Sequence, residues 1–189
     1  MCDRLNSKQD LLNMYDRVKC LIDQKMSHDP DAKRIISVCS CTGCAAQDSL
    51  DIVSEINRIA KERGLEDKIF ADITGCFGFC ARGPIVKIYP DNIFYVQVHK
   101  EDAERIVDSI LSNDVLDDLL YKITPRETAK HQNDIPFYGK QHRIALHKAG
   151  LINPENFAEC IATRGYQALA KCLFDMSRDE VIEEVTKSG

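Results

Sequence analysis

Apolar residues first recur at helical spacing near the start of the chain. Leu11, Tyr15, Val18 and Ile22 share one face of a helix predicted over about residues 8–25, with Ser7 and Asp10 as a capping-box pattern at its start. Cys20 within it reads as a small buried hydrophobe. His28-Asp-Pro-Asp31 breaks the pattern, and a short β-branched run, Arg34-Ile-Ile-Ser-Val-Cys39, predicts a strand. After Cys44 the period returns to helical up to about Arg63, with Leu50, Val53, Ile56 and Ala60 on one face and Gly64 as the stop. Lys68-Ile-Phe-Ala-Asp-Ile73 predicts a second strand; strand, helix, strand implies a right-handed unit with parallel strands. Residues 85–89 and 93–98 predict two more strands around the turn signal Pro90-Asp91-Asn92, and residues 102–111 an amphipathic helix with Ala103, Ile106, Val107 and Ile110 inward. The order β-α-β-β-β-α makes the fold class α/β.

Beyond about Leu120 the pattern weakens. Residues 124–139 hold Pro125, Pro136 and many polar side chains and read as an extended tether between domains. Short helices are expected after it, one opened by Asn153-Pro154-Glu155 and one by the capping box Ser177-x-x-Glu180. The predicted organisation is an N-terminal helix (1–30), an α/β domain (31–122), a linker (123–141) and a helical segment (142–189).

With 189 residues, 44% hydrophobic and 29% charged, the chain has the composition of an ordinary globular protein. A net charge of −5 argues against a nucleic-acid surface, which needs clustered Lys and Arg. No apolar run reaches the roughly 20 residues of a membrane span, and no signal-peptide core opens the chain. A cytoplasmic location is expected. Nine cysteines in such a chain point to metal or cluster binding before disulfides.

Four of those cysteines form two short clusters, Cys39-x4-Cys44 and Cys76-x3-Cys80, each at the end of a predicted parallel strand, where open α/β sheets place their sites. A 2Fe–2S cluster takes four thiolates, and two converging segments with two thiolates each supply them. Gly43, Gly75 and Gly78 allow tight turns that bring backbone N–H groups to sulfur, while Phe77 and Phe79 would exclude water. Structural zinc prefers C-x2-C knuckles, which these spacings fit poorly. A plant-type ferredoxin pattern would need a further cysteine where Gln47 stands. A redox dithiol at Cys41-Thr-Gly-Cys44 has the right spacing but leaves Cys76 and Cys80 without a role. Cys41 is open to three readings, a substitute ligand, a redox thiol or a neutral occupant, and the last is preferred. Cys2, Cys160 and Cys172 have no partner at ligand spacing, and the five histidines read as structural or solvated.

Val38-Cys-Ser-Cys-Thr-Gly-Cys44, Thr74-Gly-Cys-Phe-Gly-Phe-Cys-Ala-Arg-Gly-Pro84, Ile88-Tyr-Pro90 and Tyr95-Val-Gln-Val98 resemble the thioredoxin-like 2Fe–2S ferredoxin domain. The resemblance implies that fold and makes Cys39, Cys44, Cys76 and Cys80 the cluster ligands, with Cys41 where such domains commonly have Gly. Asp134-Ile-Pro-Phe-Tyr-Gly139, Gly150-Leu-Ile-Asn-Pro-Glu155 and Gly165-Tyr-Gln-Ala-Leu-Ala170 are similar to the entry segment of flavin-bearing, NAD(P)H-oxidising subunits related to that of respiratory complex I. The combined layout resembles the beta subunit of electron-bifurcating FeFe-hydrogenases, and related formate dehydrogenase subunits share it. It implies an electron-transfer domain in a hydrogenase or NADH-dehydrogenase-like complex, with other subunits as partners. FMN and NAD(P)H are expected on a longer subunit, since the chain stops at Lys187-Ser-Gly189 before any phosphate-cradling glycine loop. An assembly module with a purely structural cluster is the alternative.

Overall fold

The computed structural model describes residues 4–29 and 31–189. They divide into two compact units: residues 23–154, and residues 1–22 (described from 4) with 155–189. The helix predicted over 8–25 is two, α1 (Lys8–Val18) and α2 (Cys20–Lys25), parted at Lys19. Ser7 caps α1 by accepting from the Asp10 N–H at 3.1 Å, as its spacing implied. Cys20 is exposed rather than buried.

In the larger unit β1 (Arg34–Cys39) leads through a one-turn helix α3 (Thr42–Ala45) into α4 (Ser49–Glu62), then β2 (Ile69–Thr74), β3 (Val86–Tyr89), β4 (Ile93–Tyr95) and α5 (Ala103–Ser112). The sheet order is β2-β1-β3-β4. β1 runs parallel to β2 in a register that sets Cys39 opposite Thr74, while β3 is antiparallel to both β1 and β4. This is the predicted α/β architecture, with the last strand ending at Tyr95.

Ile36, Val38, Val86 and Ile88 alternate onto one sheet face and pack with Ile52, Ile56 and Ile59 of α4 and Ile106 and Val107 of α5. Each fully buried side chain of this kind contributes ~1.5–3 kcal/mol relative to exposure. The stripe of α4 that meets the sheet is Ile52, Ile56 and Ile59, and Leu50 is 49% exposed. Of the predicted face, Ile56 and Ala60 are buried and Val53 packs against the same core.

The segment read as a linker is folded. Residues 121–139 form a hairpin of β5 (Tyr121–Thr124) and β6 (Glu127–Ala129), then the short helix α6 (Pro136–Gly139) with Pro136 in its first turn. Ala129, Ile135 and Tyr138 are buried against Phe77 and Phe94. Prolines and polar residues disguise this stretch because its few apolar side chains follow neither period; long-range packing, not local pattern, orders it.

A strap then covers the second sheet face. Tyr89, Lys25 and Thr74 donate side-chain hydrogen bonds to the successive carbonyls of Gly150 (3.0 Å), Leu151 (2.8 Å) and Ile152 (2.8 Å). Asn153 donates to the Asp72 carboxylate at 3.0 Å.

The smaller unit joins α1 to α7 (Phe157–Ala162), α8 (Gln167–Phe174) and α9 (Arg178–Ser188). Its core is small: Leu11, Ile161 and Ala170, flanked by Met14, Tyr15 and Val18. The Ser177–Glu180 capping box is present, and Asn156, rather than Asn153, caps α7. Among the described residues no helix is long and apolar enough to cross a membrane.

Candidate functional site

The parallel register decides where the cysteines meet. β1 ends at Cys39 and β2 at Thr74 directly opposite, so the loops that follow leave the sheet side by side. The Cys39 N–H donates to the Ile85 carbonyl at 2.9 Å and the Ser40 N–H to that of Thr74 at 3.1 Å, which locks both exits. α3 then turns Cys44 inward, with its N–H on the Cys41 carbonyl at 2.8 Å. In the second loop Gly78 adopts φ +78°, a left-handed angle that a side chain would strain, and a 3-10 turn Cys80–Arg82 follows.

All four predicted ligands come together. Cys76 and Cys80 have their Sγ atoms 4.0 Å apart. Cys44 lies beside Cys39 and is the neighbour with the largest effect on its thiol. Metal–sulfur bonds of about 2.3 Å in a tetrahedral site place two thiolates roughly 3.8 Å apart, close to the spacing of Cys76 and Cys80, and the Cys39 sulfur lies within 4.8 Å of that of Cys76. The thiols gathered here can take a 2Fe–2S cluster. Cys41, preferred as a bystander from spacing, is in the group too: its Sγ lies within 4.8 Å of those of Cys39 and Cys76.

The surroundings of the sulfurs differ sharply. Cys39 and Cys44 are 1% and 0% exposed, whereas Cys76 is half-buried and Cys80 exposed. The Cys44 thiol, and then the backbone N–H groups of Cys41 and Phe77, hold the Cys39 thiol well below the usual cysteine range, at about 6. Cys44 is pushed up by Cys39 beside it and by burial; Cys41 is pushed up to about 11, by desolvation first and then by Cys76. Cys76 accepts from the Gly78 N–H at 3.2 Å. Backbone N–H groups aimed at sulfur are what a cluster site needs, since they stabilise charge there.

Aromatic rings wall the site. Phe77 stands edge-on to Phe94 at 5.3 Å, and Phe79 stacks on Phe137 at 5.2 Å with Tyr138 edge-on to Phe79 at 5.6 Å. The Tyr138 hydroxyl donates to the Phe77 carbonyl at 2.9 Å, tying α6 to the second cysteine loop. Gly150 of the strap lies so close that a Cβ there would sit 2.3 Å from the Phe77 ring. Gly83 is pressed equally hard on the first pair, with a Cβ position 2.6 Å from the Cys44 sulfur. Sequence reasoning found Phe77 and Phe79 but missed Tyr138, Phe137, Gly83 and Gly150, whose roles exist only once distant segments pack.

The remaining candidates stay apart. Cys160 and Cys172 belong to the helical unit, and Cys2 lies outside the described residues. His99 and His131 open 3-10 turns, their N–H groups held by Asp102 at 3.0 Å and Asp134 at 3.2 Å.

The sequence profile of the thioredoxin-like [2Fe-2S] ferredoxin family matches residues 24–111, a span that holds all four cysteines and Cys41. The "Ferredoxin, 2Fe-2S" of Clostridium pasteurianum is 37% identical over 70 residues, 37% of this chain and 69% of that protein. The "NADP-reducing hydrogenase subunit HndC" of Solidesulfovibrio fructosivorans is 48% identical over 50 residues, 26% of this chain but 10% of that subunit. Among solved structures, a thioredoxin-like [2Fe-2S] ferredoxin from Aquifex aeolicus aligns with TM-score 0.43 at 25% identity, over 51% of this chain and 98% of the other. A shared cysteine motif alone does not carry an alignment across two thirds of a whole ferredoxin, and on that ground the chain belongs to the thioredoxin-like [2Fe-2S] ferredoxin family.

Proposed function

We propose that this chain is the electron-transfer domain of an NAD(P)H-linked oxidoreductase complex, of the electron-bifurcating hydrogenase type, with Cys39, Cys44, Cys76 and Cys80 as its cluster ligands. The observation that supports the ligand assignment is the convergence of the two cysteine loops at the ends of paired parallel strands, with the Cys76 and Cys80 sulfurs 4.0 Å apart and the Cys39 sulfur within 4.8 Å of that of Cys76. The hydrogenase context rests on the likeness to the NADP-reducing hydrogenase subunit. A subunit of an NAD(P)-dependent formate dehydrogenase is the sister reading.

When bound, a 2Fe–2S cluster supplies one-electron redox chemistry. The chain's own residues set its terms. Cys39 and Cys44 would hold one iron in the core, where the N–H groups of Cys41, Phe77 and Ile85 stabilise negative charge on their sulfurs. Phe77, Phe94 and Tyr138 keep water from the inner side. Cys80, exposed beside Phe79, gives the edge across which an electron passes to a partner without bond making. No residue of this chain is assigned to flavin or nicotinamide.

The test is anaerobic reconstitution with ferrous iron and sulfide, followed by reduction with NADH or NADPH in the presence of the partner subunits. Reduction of the cluster during turnover supports the reading. One observation favours a second, docking role for the helical unit: Leu169, Leu173 and Phe174 are exposed on α8. A cluster that stays in one oxidation state throughout turnover would make that the main role.

A further inference from the structure

We infer that the face around Cys80 is a docking surface for an acidic electron-carrying protein, with Arg82, Lys140 and Arg143 as the charges that receive it. The inference rests on the electron-transfer reading above and adds the kind of partner that the exposed edge fits.

Charge is distributed here against the sign of the whole molecule. The chain carries −5 overall, yet residues 121–148 hold six Lys and Arg against two acids. Of those two, Asp134 has its carboxylate engaged by the His131 N–H at 3.2 Å. The cysteine loops themselves, residues 39–47 and 75–84, carry no carboxylate, and Arg82 is their one charged side chain.

The segment that holds this surplus is the one folded over the site. Phe79, next to the exposed Cys80, meets the rings of Tyr121, Phe137 and Tyr138 at 5.4, 5.2 and 5.6 Å. Two guanidiniums lie on that aromatic group, Arg82 over Tyr121 at 5.5 Å and Arg143 over Tyr138 at 5.8 Å. Lys140 follows directly on α6 and is exposed. Phe137 is 48% exposed and leaves apolar surface between these cations. An apolar centre with a charged rim is the usual anatomy of a protein–protein interface. Arg58, Arg63 and Arg105 are paired with carboxylates of their own helices and loops, whereas among the described residues Arg82, Lys140 and Arg143 pair with none.

Range decides which charge a partner feels. At physiological salt a potential falls off over about 8 Å, so a protein arriving at Cys80 meets the local cations before the net charge of the chain. An acidic carrier is drawn to this edge and a basic one is repelled. One electron then passes between the bound cluster and the carrier, one oxidised as the other is reduced, with no bond made and no proton moved.

The test is stopped-flow oxidation of the anaerobically reconstituted and reduced chain by two probes, an acidic flavodoxin and a basic c-type cytochrome, at low and at high salt. The flavodoxin rate should fall about tenfold as salt rises, and the cytochrome rate should climb. Steering by net charge gives the opposite signs. A flavodoxin rate that is flat or climbs with salt therefore overturns the inference, as does a cytochrome rate that falls as steeply. Arg82→Gln, Lys140→Gln and Arg143→Gln combined should lower the low-salt flavodoxin rate about tenfold and flatten its salt dependence. Lys61→Gln, near the end of α4, should change neither. If the triple variant takes up no iron, Arg82→Gln alone should give a smaller fall of the same sign. An unchanged salt dependence in a variant with wild-type iron content overturns the inference and leaves the electron-transfer reading standing. A chain whose cluster passes no electron to either probe overturns both.

Discussion

On the proposed assignment the two cysteine pairs do one job from opposite environments. Cys39 and Cys44 lie at the end of a core strand, almost without exposed surface, and their sulfurs face N–H groups of Cys41, Phe77 and Ile85. Cys76 and Cys80 lie on a glycine-turned loop open to solvent, screened by Phe79 and Phe137. The difference separates holding from exchanging. A buried pair fixes position and excludes water, and a solvated pair eases the gain of negative charge on reduction, because exposure and hydrogen bonds to sulfur set the potential.

The largest expected effect tests whether both pairs are needed. Cys39→Ala and Cys76→Ala each remove one central thiol, and each should abolish assembly, read as loss of bound iron and of visible absorption. Retention of the cluster in either variant breaks the two-pair assignment.

Next comes the shared wall. Gly150→Ala places a methyl 2.3 Å from the Phe77 ring at a backbone angle of φ +86°. Overpacking and left-handed strain together should cost about 2–4 kcal/mol in urea unfolding of the larger unit. A neutral result would mean that the strap does not press on the second loop.

Two glycines then separate the pairs directly. Gly83 has an ordinary backbone (φ −73°), so Gly83→Ala acts only through crowding the Cys44 sulfur, costing about 1–3 kcal/mol and shifting the cluster spectrum. Gly78→Ala meets open space and acts only through its φ of +78°, costing about 1 kcal/mol with little spectral change. Equal spectral shifts in both would erase the contrast between a packed and an open pair. The smallest effect belongs to Phe137, which is 48% exposed. Phe137→Ala should change stability by less than about 1 kcal/mol while quickening oxidation of the reduced cluster by dissolved oxygen, measured by stopped flow.

The strand–helix–strand unit and its hairpin were legible because their periods are local. Ile36 and Val38 alternate on a strand, and Val53, Ile56 and Ala60 recur on a helix, with no other part of the chain needed to read them; Ile52 and Ile59 joined that face only in the fold. The cysteine pairs could be proposed from the sequence because ligand spacing is itself a local pattern. The fold of residues 123–141 was not, since Ala129, Ile135 and Tyr138 gain their meaning from Phe77 and Phe94, tens of residues away. The closeness of Cys41 to Cys76 was not legible for a related reason: spacing ranks a cysteine by its neighbours in sequence, and this proximity arises from the register of β1 on β2.

The central claim is a one-electron site built from two thiol pairs. The most direct measurement is Mössbauer and electron paramagnetic resonance spectroscopy of the anaerobically reconstituted chain before and after one-electron reduction. The account predicts two irons per chain, all with sulfur ligation, and a reduced state in which one localised ferrous ion accompanies one ferric ion. Zinc taken up in preference to iron and sulfide, a four-iron cluster, or a site unchanged by reductant would contradict it.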